Sequence, residues 1–132
     1  MTPDELLFAQ THEWVRLEPG AGGMKVATIG LSAFALEALT DLVHIELPEV
    51  GRQLTVGESL GEVESVKAVS DIYSPLEGEV VEVNSDIAQH LERLAADPYG
   101  AGWLVKLRIT NESGLKSLLD RTAYEKLCAE EA

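Results

Sequence analysis

Basic residues are scarce in this chain: 10 Lys and Arg stand against 23 Asp and Glu, for a formal charge of −13 over 132 residues. Nucleic acid and anionic membrane are thereby excluded as partners, since both are held by clusters of Lys and Arg. Basic protein surfaces become the natural partners, and self-repulsion predicts a monomer. Cysteine is nearly absent too. Cys128 alone allows no intramolecular disulfide and fits a reducing compartment. A half-buried thiol on a terminal helix is expected there, because no local signature pairs it with His12, His44 or His90 as a nucleophile. No apolar run reaches the roughly 20 residues that span a bilayer. The start, Met1-Thr2-Pro3-Asp4-Glu5, has neither an Arg-rich amphipathic run nor an apolar signal core, so no targeting segment is expected and a cytoplasmic location follows.

Chemistry-bearing patterns are missing as well. His12, Glu13, His44 and Glu46 show no metal-ligand spacing such as HExxH or CxxC. No Gly-rich phosphate loop stands between a strand and a helix. Glu62 and Glu64 share one strand face like a glycosidase pair, but among 23 acids such pairs arise by chance. The expectation is a protein without catalytic residues of its own.

Hydrophobic residues make up 45% of the chain, enough for a packed core, and no linker is visible. One domain over 1–132 is expected, with a barrel core over about 11–110 and a C-terminal helical segment over about 111–132. Trp14–Leu17 and Lys25–Ile29 read as strands joined by the turn Pro19–Gly23. Ser32 is a good N-cap for a short helix over 33–39 that must pack on the sheet to exist. Leu42–Leu47 reads as a half-buried strand ended by Pro48, and Asn84–Leu94 as a turn or short helix. Asp97–Gly102 is turn chemistry before a strand Trp103–Ile109. Leu115, Leu118 and Leu119 then share a helical stripe, continued by Asp120–Cys128 with Tyr124, Leu127 and Cys128 on one side. Short strands followed by helices give a mostly-β domain closed as a barrel or sandwich, clamped from outside by C-terminal helices.

Lys67 is the residue that stands out. It sits midway in the run Gly57–Val83, with Gly57 ten residues before it and Gly78 eleven after, at the tip of an expected β-hairpin. An ammonium held out by a short hairpin is open to an enzyme that acylates it. The alternative is an ordinary solvated lysine on a hairpin, which the local pattern taken alone favours. The two glycines also hint at two half-barrels related by pseudo-symmetry.

The wider context points one way. Glu64-Ser65-Val66-Lys67-Ala68-Val69-Ser70-Asp71, with Tyr73-Ser74-Pro75, Gly78-Glu79-Val80 and Glu82-Val83-Asn84, resembles the lipoylation segment of glycine cleavage system H proteins. Thr11-His12-Glu13-Trp14-Val15, Ala27-Thr28-Ile29-Gly30, Glu46-Leu47-Pro48-Glu49-Val50-Gly51 and Asp97-Pro98-Tyr99-Gly100 with Gly102–Lys106 extend the similarity from about Thr11 to Cys128. Lipoyl domains of 2-oxo acid dehydrogenases usually carry Asp before the lysine and biotinyl domains flank it with Met, whereas here the neighbours are Val66 and Ala68. Thr40 stands where the family commonly has Gly, and Leu91 where it often has Pro.

The resemblance implies a flattened barrel-sandwich of two small antiparallel sheets, of the lipoyl/biotinyl type, with a short internal helix. It implies lipoate in amide linkage on Lys67, with Glu64, Ser65, Val66 and Ala68 around the attachment point. The implied partners are a pyridoxal phosphate glycine decarboxylase, a tetrahydrofolate-dependent aminomethyltransferase, dihydrolipoyl dehydrogenase and lipoylating enzymes. A lipoyl donor in cofactor assembly, or a 2-oxo acid dehydrogenase lipoyl domain, are the alternatives. An aminomethyl cargo carries an ammonium that must be shielded from water and paired. Glu13 is the carboxylate implied for that role, Thr11 and Asp71 for further polar contacts, and Trp14 for the core.

Overall fold

The computed structural model describes residues 6–131, so the start read above for targeting lies outside the described residues. In chain order the elements are strand β1 (Leu7–Phe8), β2 (Glu13–Pro19), β3 (Lys25–Leu31), helix α1 (Ala33–Leu39), β4 (Leu42–Glu46), β5 (Gln53–Leu54), β6 (Ser59–Ser65), β7 (Val69–Tyr73), β8 (Glu77–Val83), α2 (Leu91–Ala96), β9 (Val105–Asn111) and α3 (Arg121–Glu131). Two antiparallel sheets result. One runs β1-β2-β3-β9-β8-β5 and the other β4-β6-β7. The mostly-β reading holds, with one sheet larger than expected because the short strands β1 and β5, with little pattern of their own, extend its edges.

The β2–β3 hairpin forms where it is expected, and its register explains one glycine. Trp14 faces Gly30, and a Cβ on Gly30 would lie 2.6 Å from the indole. Only glycine leaves the ring its place. Ser32 caps α1 by accepting the Ala35 amide at 3.2 Å. Leu36 of that helix then enters a core made by Val15, Ile29, Val80 and Leu107 of the large sheet and Leu60, Val63 and Ile72 of the small one. A second apolar cluster, Leu6, Phe8, Trp14 and Tyr124, lies between the large sheet and α3. The rings of Phe8 and Tyr124 stack there at 4.3 Å, which fixes the C-terminal helix to the amino-terminal strand.

Three readings need correction. Leu115, Leu118 and Leu119 share no helix: Leu115 lies in a 3-10 segment over Glu112–Ser117, and Leu118 is extended. Leu119 exchanges both backbone hydrogen bonds with Phe8 at 2.7 Å. The edge strand β1 needs those partners, and that demand outweighs the leucine spacing. The last long strand is Val105–Asn111 rather than Trp103–Ile109, because Asp97 and the turn after it hold the backbone through Gly102 and Trp103. Finally, Gly57 and Gly78 are not equivalent. Gly57 turns with φ 84° before β6, whereas Gly78 sits inside β8 in the other sheet, where a Cβ would meet the Arg108 carbonyl oxygen at 2.4 Å.

Candidate functional site

Lys67 stands in the turn between β6 and β7 and is exposed, with Val66 and Ala68 exposed on either side. The buried Ser65 builds this tip: its Oγ accepts the amides of Lys67 at 3.3 Å and Ala68 at 3.1 Å, and its own amide donates to the Ala68 carbonyl at 2.8 Å. A serine hydroxyl in that position replaces a longer loop. The Val66 amide donates to the Asp41 carbonyl at 3.1 Å, which ties the tip to the end of α1. Glu64, also exposed, pairs with Val69 on one side and His44 on the other.

Further along β7 a cleft of about 360 Å³ opens. Thr11, Glu13 and Asp71 all line it, together with Phe34, Leu39 and Ser70. Residues far apart in the chain thus meet beside the lysine hairpin. Glu13 is only 1% exposed. Its Oε1 accepts the Thr11 hydroxyl, and its Oε2 accepts the Tyr73 amide at 3.3 Å. Burial pushes its carboxyl up to about 7, past the lowering effect of those bonds. Among the described residues lining the cleft none is Lys or Arg. The site therefore holds a desolvated carboxyl without a cation, an arrangement that rewards the arrival of one.

Asp71 is exposed, and its Oδ1 accepts the Ser59 hydroxyl at 3.3 Å. Trp14 is core, 1% exposed, with its indole N–H donating to the Pro98 carbonyl at 2.9 Å. Cys128 is half-buried on α3, as expected. Sequence reasoning missed three contributors: the Tyr73 amide, and His12 and Glu131 on the cleft wall. Tyr73 and His12 lie inside the motifs quoted above. Nothing in the sequence marks Glu131.

Comparison with known proteins agrees with this geometry. Residues 6–131 match the profile of the family described as Glycine cleavage H-protein. The chain is 52% identical over 128 residues to the glycine cleavage system H protein of Rhodopirellula baltica, covering 97% of this chain and 96% of that one. It is 51% identical to its counterpart in Laribacter hongkongensis, covering 94% of each. The crystal structure of a glycine cleavage system H protein from Mycobacterium marinum superposes with a TM-score of 0.85 at 40% identity, over 95% of this chain and 97% of that one. With near-full-length identity on one side and the same two-sheet fold on the other, the chain belongs to the glycine cleavage H-protein family.

Proposed function

We infer that the chain is the lipoyl carrier of the glycine cleavage system, a covalently modified substrate of its partner enzymes rather than an enzyme. Lys67 is the attachment residue. The observation that carries this reading is an exposed lysine on a Ser65-braced hairpin, next to a cleft whose buried Glu13 carboxyl has no cation. The residues fit the group: the tip leaves Nζ accessible to an acylating enzyme, and the cleft accepts a small cationic end. Lipoate supplies a disulfide that, once reduced, carries the aminomethyl group derived from glycine.

Every other task falls to the chain. Ser65 holds the turn, and Lys67 enters no ion pair among the described residues, so its amine is available for acylation. Glu13 pairs with the ammonium of the cargo, and ionises as the cation arrives because the pair offsets its desolvation. Thr11 orients the carboxyl, and Asp71 provides a second acceptor at the rim. The glycine decarboxylase, the tetrahydrofolate-dependent aminomethyltransferase and dihydrolipoyl dehydrogenase visit the same hairpin in turn, with lipoylating enzymes before them.

Intact mass of protein from lipoate-competent cells tests the reading. A lipoyl-amide increment that vanishes in Lys67→Arg, with an unchanged melting transition, is expected of an exposed attachment residue. A biotinyl increment, or no increment, overturns it. Loss of the transition in the variant would make Lys67 structural instead.

A further inference from the structure

His12 lines the cleft, and its side chain reaches the C-terminal helix. Its backbone takes φ 78°, a region that non-glycine residues seldom occupy. Two backbone bonds hold it there: its amide donates to the Ala9 carbonyl and its carbonyl accepts the Ser32 amide, both at 2.9 Å. From that position Nδ1 meets the Tyr124 hydroxyl at 2.7 Å and Nε2 meets the Glu131 carboxylate at 3.0 Å.

The hydrogen bonds form a continuous chain. Glu131 only accepts, so the Nε2 N–H donates to it, and Nδ1 shares the hydrogen bond with the Tyr124 hydroxyl on the other side of the ring. The Tyr124 and Ser32 hydroxyls hydrogen-bond to each other at 2.6 Å, and Ser32 Oγ accepts the Ala35 amide at 3.2 Å. Each group is satisfied, and the chain links the N-terminus of α1, the loop before β2 and the last turn of α3. Glu131 lines the cleft that contains Glu13, although it is separated from Glu13 by 118 positions in the sequence.

We propose that Glu131, clasped by His12, is the outer wall of the cleft, and that His12 is a positioning residue that holds this wall shut against water. By this account α3 is part of the site. The consequence for the cargo rests on the carrier reading: a cation paired with Glu13 survives because water reaches it slowly, and the wall sets that access. Hydrolysis of the unprotected cargo takes up one water, breaks the carbon–sulfur and carbon–nitrogen bonds, and yields thiol, formaldehyde and ammonium.

The test uses full-length protein without lipoate and follows the Glu13 carboxyl by carbon NMR through a pH titration. Glu131→Ala opens the wall, so the Glu13 titration should fall by about one pH unit or more toward its ordinary value as water re-enters. Glu131→Gln keeps the wall and its contact with His12 and should titrate close to the unsubstituted protein. His12→Ala should match Glu131→Ala. No shift in Glu131→Ala overturns the proposal, and an equal shift in Glu131→Gln would assign the effect to charge rather than to water exclusion. Glu131 is 45% exposed on a final helical turn, so its variants should fold. Lipoylation of Lys67 does not enter this readout, so failure here leaves the carrier reading standing, and the converse holds.

Discussion

At the scale of single residues, burial sets the protonation of Glu13. Its carboxyl is raised from 4.5 to about 7 by burial, so the folded protein keeps a proton that the unfolded chain has released. The resulting stabilisation is fully present below pH 4.5 and is lost as pH rises through about 7. The whole loss is on the order of 3 kcal/mol, since each pH unit between the folded and unfolded values is worth about 1.36 kcal/mol. Glu13→Gln should remove this slope, so that its stability advantage over the unsubstituted protein grows between pH 4.5 and 7 in urea melts. The same variant cannot pair with a cation. Aminomethyl-loaded Glu13→Gln should therefore release ammonia and formaldehyde faster, in the absence of the folate enzyme, even though the protein is more stable. A variant that is less stable and decays faster would point to a structural Glu13, and equal decay would shift the clamp to Asp71.

Elements place the lysine, and one of them is strained. At the C-terminus of α1, Thr40 takes φ 52° and ψ 172°, a region that is essentially glycine-only, and Asp41 follows at φ 24°. The segment is retained because the Asp41 carbonyl supports the hairpin tip through Val66. A glycine at this position would meet no such penalty, and this chain carries strain in its place. Thr40→Gly should relieve roughly 1–3 kcal/mol of strain against roughly 0.5–1 kcal/mol of added unfolded-state entropy, for a net gain of about 1 kcal/mol. For a chain of this size that is a rise of about 3–4 °C in Tm, read by calorimetry with lipoylation unaffected. An unchanged or lower Tm would show that the threonine side chain compensates. Leu91, the other departure, is the first residue of α2, where proline is favoured but leucine meets no obstacle.

Charge acts over the whole molecule. Arg52, Arg93, Arg108 and Lys25 are paired with Glu58, Asp86, Glu79 and Glu112. On the exposed face of the small sheet, Glu46, Glu62 and Asp71 form one cross-strand row, with Glu64 and His44 beside it. Like charges placed opposite one another cost stability. They also give the lysine face a field that guides a basic partner toward it. Association with the partner enzymes should slow about tenfold or more as salt shortens the Debye length from about 8 Å to about 3 Å, measured by stopped flow. A salt-independent on-rate would rule out electrostatic steering.

Local rules were enough for the β2–β3 hairpin, the Ser32-capped helix, the lysine hairpin and the amphipathic α3, because each is set by spacing, caps and turn residues within a few positions. Motif resemblance marked Lys67, Thr11, Glu13 and Asp71 as one site without any geometry. Local pattern misjudged Leu118 and Leu119: the backbone of Leu119 is claimed by a strand more than a hundred residues earlier, and Leu118 is the extended residue that leads into it. It was silent on β1 and β5, which are strands only because a neighbour pairs with them. The burial that raises Glu13, the Tyr73 amide that meets it and the Glu131 wall are products of packing between distant segments. The sequence by itself determined which family the chain joins and which lysine stands at the hairpin tip. The desolvation of the cleft and the part α3 plays in it were decided by the tertiary structure, because a carboxyl's solvation depends on everything packed around it and not on its neighbours in the chain.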